Sequence, residues 1–128
     1  MFKFGSRSEK NLVGVNPKLV SVARRALELS TVDFTVIEGV RTVERQKEMV
    51  ATGKSQTMNS RHIGGFAIDV FPVGGTWKVE EFMPVLHAFY KAGQELGVEL
   101  RFGRNWSRNP DTPYKGKFID APHIELPA

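Results

Sequence analysis

The chain has 128 residues, 41% of them apolar and 25% charged, which is the make-up of one folded domain with a real hydrophobic core. It has no cysteine, which excludes a disulfide framework and a thiolate metal site, so any metal has to be held by His, Asp or Glu. No run of about 18 apolar residues occurs and no apolar h-region follows the basic N-terminus, so neither stable membrane insertion nor a signal peptide is expected.

A net charge of +4 and a pI near 9.6 favour anionic partners. The basic residues form no block and no nucleic-acid-binding signature, so nucleic acid is not an expected partner.

In chain order, residues 16–30 predict a helix, with Asn16 as N-cap, Pro17 in the first position and Leu19, Ala23, Ala26 and Leu27 on one face. Residues 33–40, "DFTVIEGV", are β-branched and aromatic and stop at Gly39, as a strand does. Thr42 caps a second helix over 43–52 that Gly53 terminates, and a polar loop, "KSQTMNS", follows. Residues 66–73 read as a second strand. A third helix then presents Phe82, Val85, Leu86, Phe89, Gly93 and Leu96 on one face and closes at Gly97. A short strand at 98–103, a Pro/Gly/Asn loop at 104–117 and a final strand at "HIEL" complete the order αβαβαββ. Such an order points to an α+β fold with helices packed on one face of a small, mostly antiparallel sheet.

The chemistry gathers in two segments. In "SRHIGGFAIDV" His62 precedes a strand and Asp69 lies within it, and the glycines between them let both side chains reach one point. "DAPHIEL" adds Asp120, His123 and Glu125. A catalytic zinc takes three ligands drawn from His and carboxylate and leaves a fourth position to water, and His62, Asp69 and His123 make such a set. Zinc also needs a base for the proton of its water, a role that suits Asp120. Either segment alone reads equally well as a packed histidine or a turn.

Together they carry a resemblance. The pattern S-x-H-x-x-G-x-A-x-D at 60–69, followed by D-x-x-H-x-E, resembles the zinc D-alanyl-D-alanine carboxypeptidase and dipeptidase superfamily, whose fold the Hedgehog signalling domain shares. "FKFGSRSEKNL", "VARRALELS", "DFTVIEGVRT" and "LGVELRFGRNW" are similar, in order and spacing, to the L-alanyl-D-glutamate peptidases that serve as bacteriophage endolysins. The likeness spans nearly the whole chain.

The resemblance implies a single zinc peptidase domain over residues 1–128, with no separate cell-wall-binding domain. His62, Asp69 and His123 would hold Zn2+, Asp120 would be the catalytic acid/base, and Arg41 in "EGVRT" would polarise the scissile carbonyl. Ser60 is open between capping a turn and hydrogen-bonding substrate, and Glu125, on the same strand face as His123, could orient that histidine. His87 reads as a helix-surface residue. Trp77, Trp106, Phe102 and Tyr114 read as core or rim for the most part, with lining of a substrate groove the alternative.

The implied activity is hydrolysis of the L-alanyl-D-glutamate bond in peptidoglycan stem peptides. D-alanyl-D-alanine cleavage and a non-catalytic zinc-binding module are the alternatives. A monomer is expected, made in the host cytoplasm and released to the periplasm and cell wall through a holin pore.

Overall fold

The computed structural model describes residues 2–55, 58 and 60–127. The polar loop expected at 54–60 therefore lies partly outside the described residues, at Gln56, Thr57 and Asn59.

Four helices and four strands follow one another as α1 (Ser6–Leu12), α2 (Pro17–Leu29), β1 (Phe34–Glu38), α3 (Val43–Ala51), β2 (Ala67–Pro72), α4 (Val79–Leu96), β3 (Arg101–Phe102) and β4 (His123–Glu125). The strands form an antiparallel sheet in the order β1-β2-β4-β3. The α+β expectation holds, and so do the caps: Asn16 accepts from the Lys18 amide at 2.9 Å and Thr42 from the Arg45 amide at 3.0 Å. Gly53 and Gly97 end their helices in the left-handed region.

The expected element order needs one correction, because α1 precedes everything foreseen. Gly5 makes no side-chain cap bond, and only Ser8 and Leu12 of the seven helical residues are buried, so the segment has no apolar stripe to read. It forms because β1 is an edge strand with unpaired backbone groups. Ser8 Oγ accepts from the Val36 amide at 3.0 Å and Asn11 Nδ2 donates to the Val36 carbonyl at 2.8 Å, closing that edge. The strand expected at 98–103 also shrinks to Arg101–Phe102.

Strand alternation separates the sheet's two faces. Phe34, Val36, Ile68, Val70, Phe102 and Ile124 point into the core under α2 and α4, where Phe34 meets Phe89 at 5.4 Å between ring centroids. The other face carries polar residues in register: Asp69 stands opposite Glu38 on β1 and His123 on β4, and Glu125 opposite Ala67 on β2 and Arg101 on β3. A bulge between Val36 and Glu38 brings the Glu38 side chain into that row.

Candidate metal centre and groove

His62 sits in the turn before β2, Asp69 within β2 and His123 at the start of β4. Their ligand atoms converge. His62 Nε2 lies 3.2 Å from His123 Nδ1 and 3.3 Å from Asp69 Oδ1, and His123 Nδ1 lies 3.5 Å from the same oxygen.

Hydrogen bonds on the far side of each ring fix what those atoms are. His62 Nδ1 faces the Gly39 carbonyl at 2.9 Å, and a carbonyl oxygen only accepts, so the proton of neutral His62 is on Nδ1 and its lone pair on Nε2. His123 Nε2 faces Glu125 Oε1 at 2.8 Å, which puts the proton there and leaves the lone pair on Nδ1. Asp69 Oδ1, the third atom, is buried and makes no hydrogen bond. Two lone pairs and a carboxylate oxygen aimed at one point repel one another unless a cation stands between them. This is the donor set of a metal site, and the three residues form the group able to hold an ion among the described residues.

Without a metal, a proton has to fill that role. Burial works against a charged His123, but the neighbouring carboxylates of Asp69, at 3.5 Å, and Glu125, at 2.8 Å, outweigh it and push its pKa up to about 9. Burial likewise opposes the charge on Asp69, and the two histidines overcome it and hold that carboxyl well below its usual range.

The site lies in a groove of about 920 Å³. Asp120 lines it, with Oδ2 3.9 Å from His123 Nδ1. Burial first, and then the Asp69 charge, raise the Asp120 pKa above that of an ordinary aspartate. Gly103 makes this proximity possible: a Cβ there would collide with the Asp120 carbonyl and with His123 Cβ. Its amide donates to the His123 carbonyl and its own carbonyl accepts from the Asp120 amide.

Arg41 is 6% exposed, a buried cation rather than a surface one. Nε and Nη2 donate to the two carboxylate oxygens of Glu38, each at 2.7 Å, and Nη1 donates to Gln46 Oε1 at 2.7 Å. Burial opposes its charge, but Glu38 more than compensates and keeps it protonated. Its remaining contacts point inward, to Ser60 Oγ at 3.5 Å and Asp69 Oδ2 at 3.7 Å. Ser60 Oγ also accepts from the His62 amide at 3.2 Å, so it does cap the turn.

A model of the phage L-alanyl-D-glutamate peptidase family matches residues 1–127. The chain belongs to this family. It is 46% identical to the L-alanyl-D-glutamate peptidase of Escherichia phage T5, over 98% of both chains. It is 29% identical to the L-alanyl-D-glutamate peptidase of Listeria phage A118 over 94% of its own length, spanning 41% of that longer protein. Among solved structures, the Serratia marcescens L-Ala D-Glu endopeptidase ChiX superposes with a TM-score of 0.83 at 40% identity, covering 98% of this chain and 90% of that one. The resemblance read from the sequence is therefore borne out.

Around the converging trio of this phage peptidase family member stand two residues not foreseen, Glu38 and Gln46, and the aromatic residues whose place between core and groove was open. Glu38 and Gln46 clamp Arg41, yet Gln46 occupies a polar helix with no periodic signal and is the one buried residue of α3. Trp106 lines the groove, its ring 5.4 Å from that of His123 and stacked on Phe118. Phe102 is core and Trp77, 61% exposed, packs on Phe71. Tyr114 donates through its hydroxyl to the Phe118 carbonyl. His87, outside the groove, pairs with Asp111 at the surface.

Proposed function

We propose that the chain is a zinc-dependent L-alanyl-D-glutamate endopeptidase that cuts peptidoglycan stem peptides as a phage endolysin. The observation that carries the zinc reading is the convergence of His62 Nε2, Asp69 Oδ1 and His123 Nδ1, separated by 3.2, 3.3 and 3.5 Å. Zinc–ligand bonds of about 2.0–2.2 Å in a tetrahedron put neighbouring donors roughly 3.3–3.6 Å apart. The donors therefore stand close to the spacing that zinc requires, and family membership supplies the bond to be cut.

Zinc held by these residues would supply a Lewis acid for the attack of water on the scissile carbonyl. The protein's own groups do the rest. Asp120 takes the water's proton as the carbonyl of L-alanine is attacked and returns it to the amine nitrogen of D-glutamate as the C–N bond breaks. Its raised pKa suits both halves of that transfer. Arg41, locked by Glu38 and Gln46, presents a fixed positive charge to the carbonyl oxygen as negative charge develops there. Glu125 holds His123 in the tautomer that offers Nδ1. Ser60 fixes the turn carrying His62 and leaves an oxygen beside Arg41 for the substrate. Delivery to the wall through a holin pore belongs to the same reading and rests on the family likeness.

Digestion of purified peptidoglycan, with the new termini identified by mass spectrometry, tests the activity. New amino-terminal D-glutamate supports it. Release of D-alanine instead would transfer the chain to the carboxypeptidases, and zinc binding with no cleavage would leave a binding module.

A further inference from the structure

Five cationic side chains line the groove: Arg41, Lys54, Arg61, Arg101 and Arg108. Three are committed elsewhere. Arg41 is clamped by Glu38 and Gln46, Arg61 donates through Nε and Nη2 to the Leu126 carbonyl, and Arg108 pairs with Glu99 at 3.1 Å. Lys54 is exposed on a flexible stem.

Arg101 is held differently. Its Nε donates to the Trp106 carbonyl at 3.1 Å and its guanidinium lies over the Trp106 ring, 5.1 Å from the centroid. Trp106 is itself fixed. Its amide donates to the Phe102 carbonyl at 2.6 Å, Nε1 donates to the Phe118 carbonyl at 3.0 Å, and its ring stacks on Phe118 at 10° between planes. Its φ of +54° lies in the left-handed region, unusual for so bulky a residue and maintained by those bonds. The result is a guanidinium oriented by stacking whose Nη groups make no hydrogen bond among the described residues. The nearest carboxylate oxygen, Glu125 Oε2, stands 3.8 Å from Nη1, while the other oxygen of Glu125 is engaged by His123.

We propose that Arg101 is the specificity residue that binds the free α-carboxylate of the D-glutamate whose amine is released. This rests on the function proposed above. In a stem peptide that continues through the γ-carboxyl of D-glutamate, the carbon bonded to the scissile nitrogen carries an unblocked carboxylate. That charge enters a groove already lined by Asp69, Asp120 and Glu125 and requires a cation beside the reacting bond. Arg101 stands opposite Glu125 in the sheet, two residues along β4 from His123, which is about 7 Å of strand. A pre-oriented guanidinium matches a carboxylate through two parallel N–H bonds, as an ammonium cannot.

Kinetics on two soluble stem peptides test this, using the metal-loaded full chain. One peptide carries the free α-carboxylate and the other the α-carboxamide, D-isoglutamine. The wild type should favour the carboxylate in kcat/KM by roughly 10- to 100-fold, the range for hydrogen bonds to a charged group. Arg101→Gln should lose about that factor on the carboxylate peptide and bring the two substrates within about threefold of each other, with Arg101→Lys between. Metal content is measured in each variant. If Arg101→Gln disturbs Glu125 enough to lose metal, Arg101→Lys, which keeps the charge but not the fork, makes the comparison. Equal losses on both peptides, or discrimination that survives in the variants, would overturn the assignment while leaving the endopeptidase reading intact. A wild type that cuts neither peptide between alanine and the following residue would overturn that reading itself, and this assignment with it.

Discussion

His62 and His123 face each other across 3.2 Å with lone pairs, because Gly39 and Glu125 hold the ring protons on the opposite sides. That arrangement is stable only with a positive charge between the rings, and it makes metal binding, folding and protonation one linked problem.

Removing either ring should remove the metal and lower stability together. A ligand present at about 100 times its Kd stabilises the folded state by about 2.7 kcal/mol, which for a domain of this size is roughly 10 °C in melting temperature. His62→Ala and His123→Ala should lose that increment and their metal. His87→Ala, altering a surface pair with Asp111, should keep both. Elemental analysis alongside thermal melts checks this, and metal loss in His87→Ala would move the site.

Asp120 separates enzyme from binding module. It lines the groove without belonging to the converging trio, so Asp120→Asn should keep metal and fold and lose proton transfer, roughly 10²- to 10⁴-fold in rate. Near-normal cleavage by that variant would place the base elsewhere, and loss of metal would make Asp120 a ligand.

Glu125 would act on a bound metal through its hydrogen bond with His123. Glu125→Ala frees the ring to take the other tautomer or rotate, and metal affinity should fall about 10- to 100-fold, with Glu125→Gln milder because its carbonyl still accepts from Nε2. Competition against a chelator measures it. Unchanged affinity in Glu125→Ala would show that the bond does not orient the ligand.

The sign of the pH dependence differs between metal-free and metal-loaded protein. In the metal-free state the His123 pKa is raised from its ordinary 6.5 to about 9, so its stabilising contribution is complete below about 6.5 and disappears as the pH rises through 9. Metal binding competes with that same proton and strengthens as the pH rises. Denaturation from pH 6 to 9.5 should therefore show metal-free protein weakening and the stabilisation added by zinc growing. Parallel curves would contradict the shared-proton account.

The convergence of His62, Asp69 and His123 was legible because they fall in two short segments whose spacing carries the chemistry, 60–69 and 120–125. The caps at Asn16 and Thr42 were legible too, since a cap is a local bond. What was not legible depends on distant partners. Helix α1 is explained by the Val36 edge it closes, more than twenty residues away. For Arg41 the family resemblance implied a role, but not the burial or the clamp by Gln46 and Glu38 that fixes it. Trp106 cannot be told from a core tryptophan until the groove beside His123 exists.

The most direct measurement is a titration of zinc into chelator-stripped protein, with cleavage of the L-alanyl-D-glutamate bond in a stem peptide followed at each addition. Activity should be absent at the start, rise linearly and saturate at one zinc per chain, while Asp69→Asn, with one charged ligand removed, should require far more zinc or never recover. Full cleavage of that bond by metal-free protein, or saturation that Asp69→Asn leaves unaltered, would contradict the account.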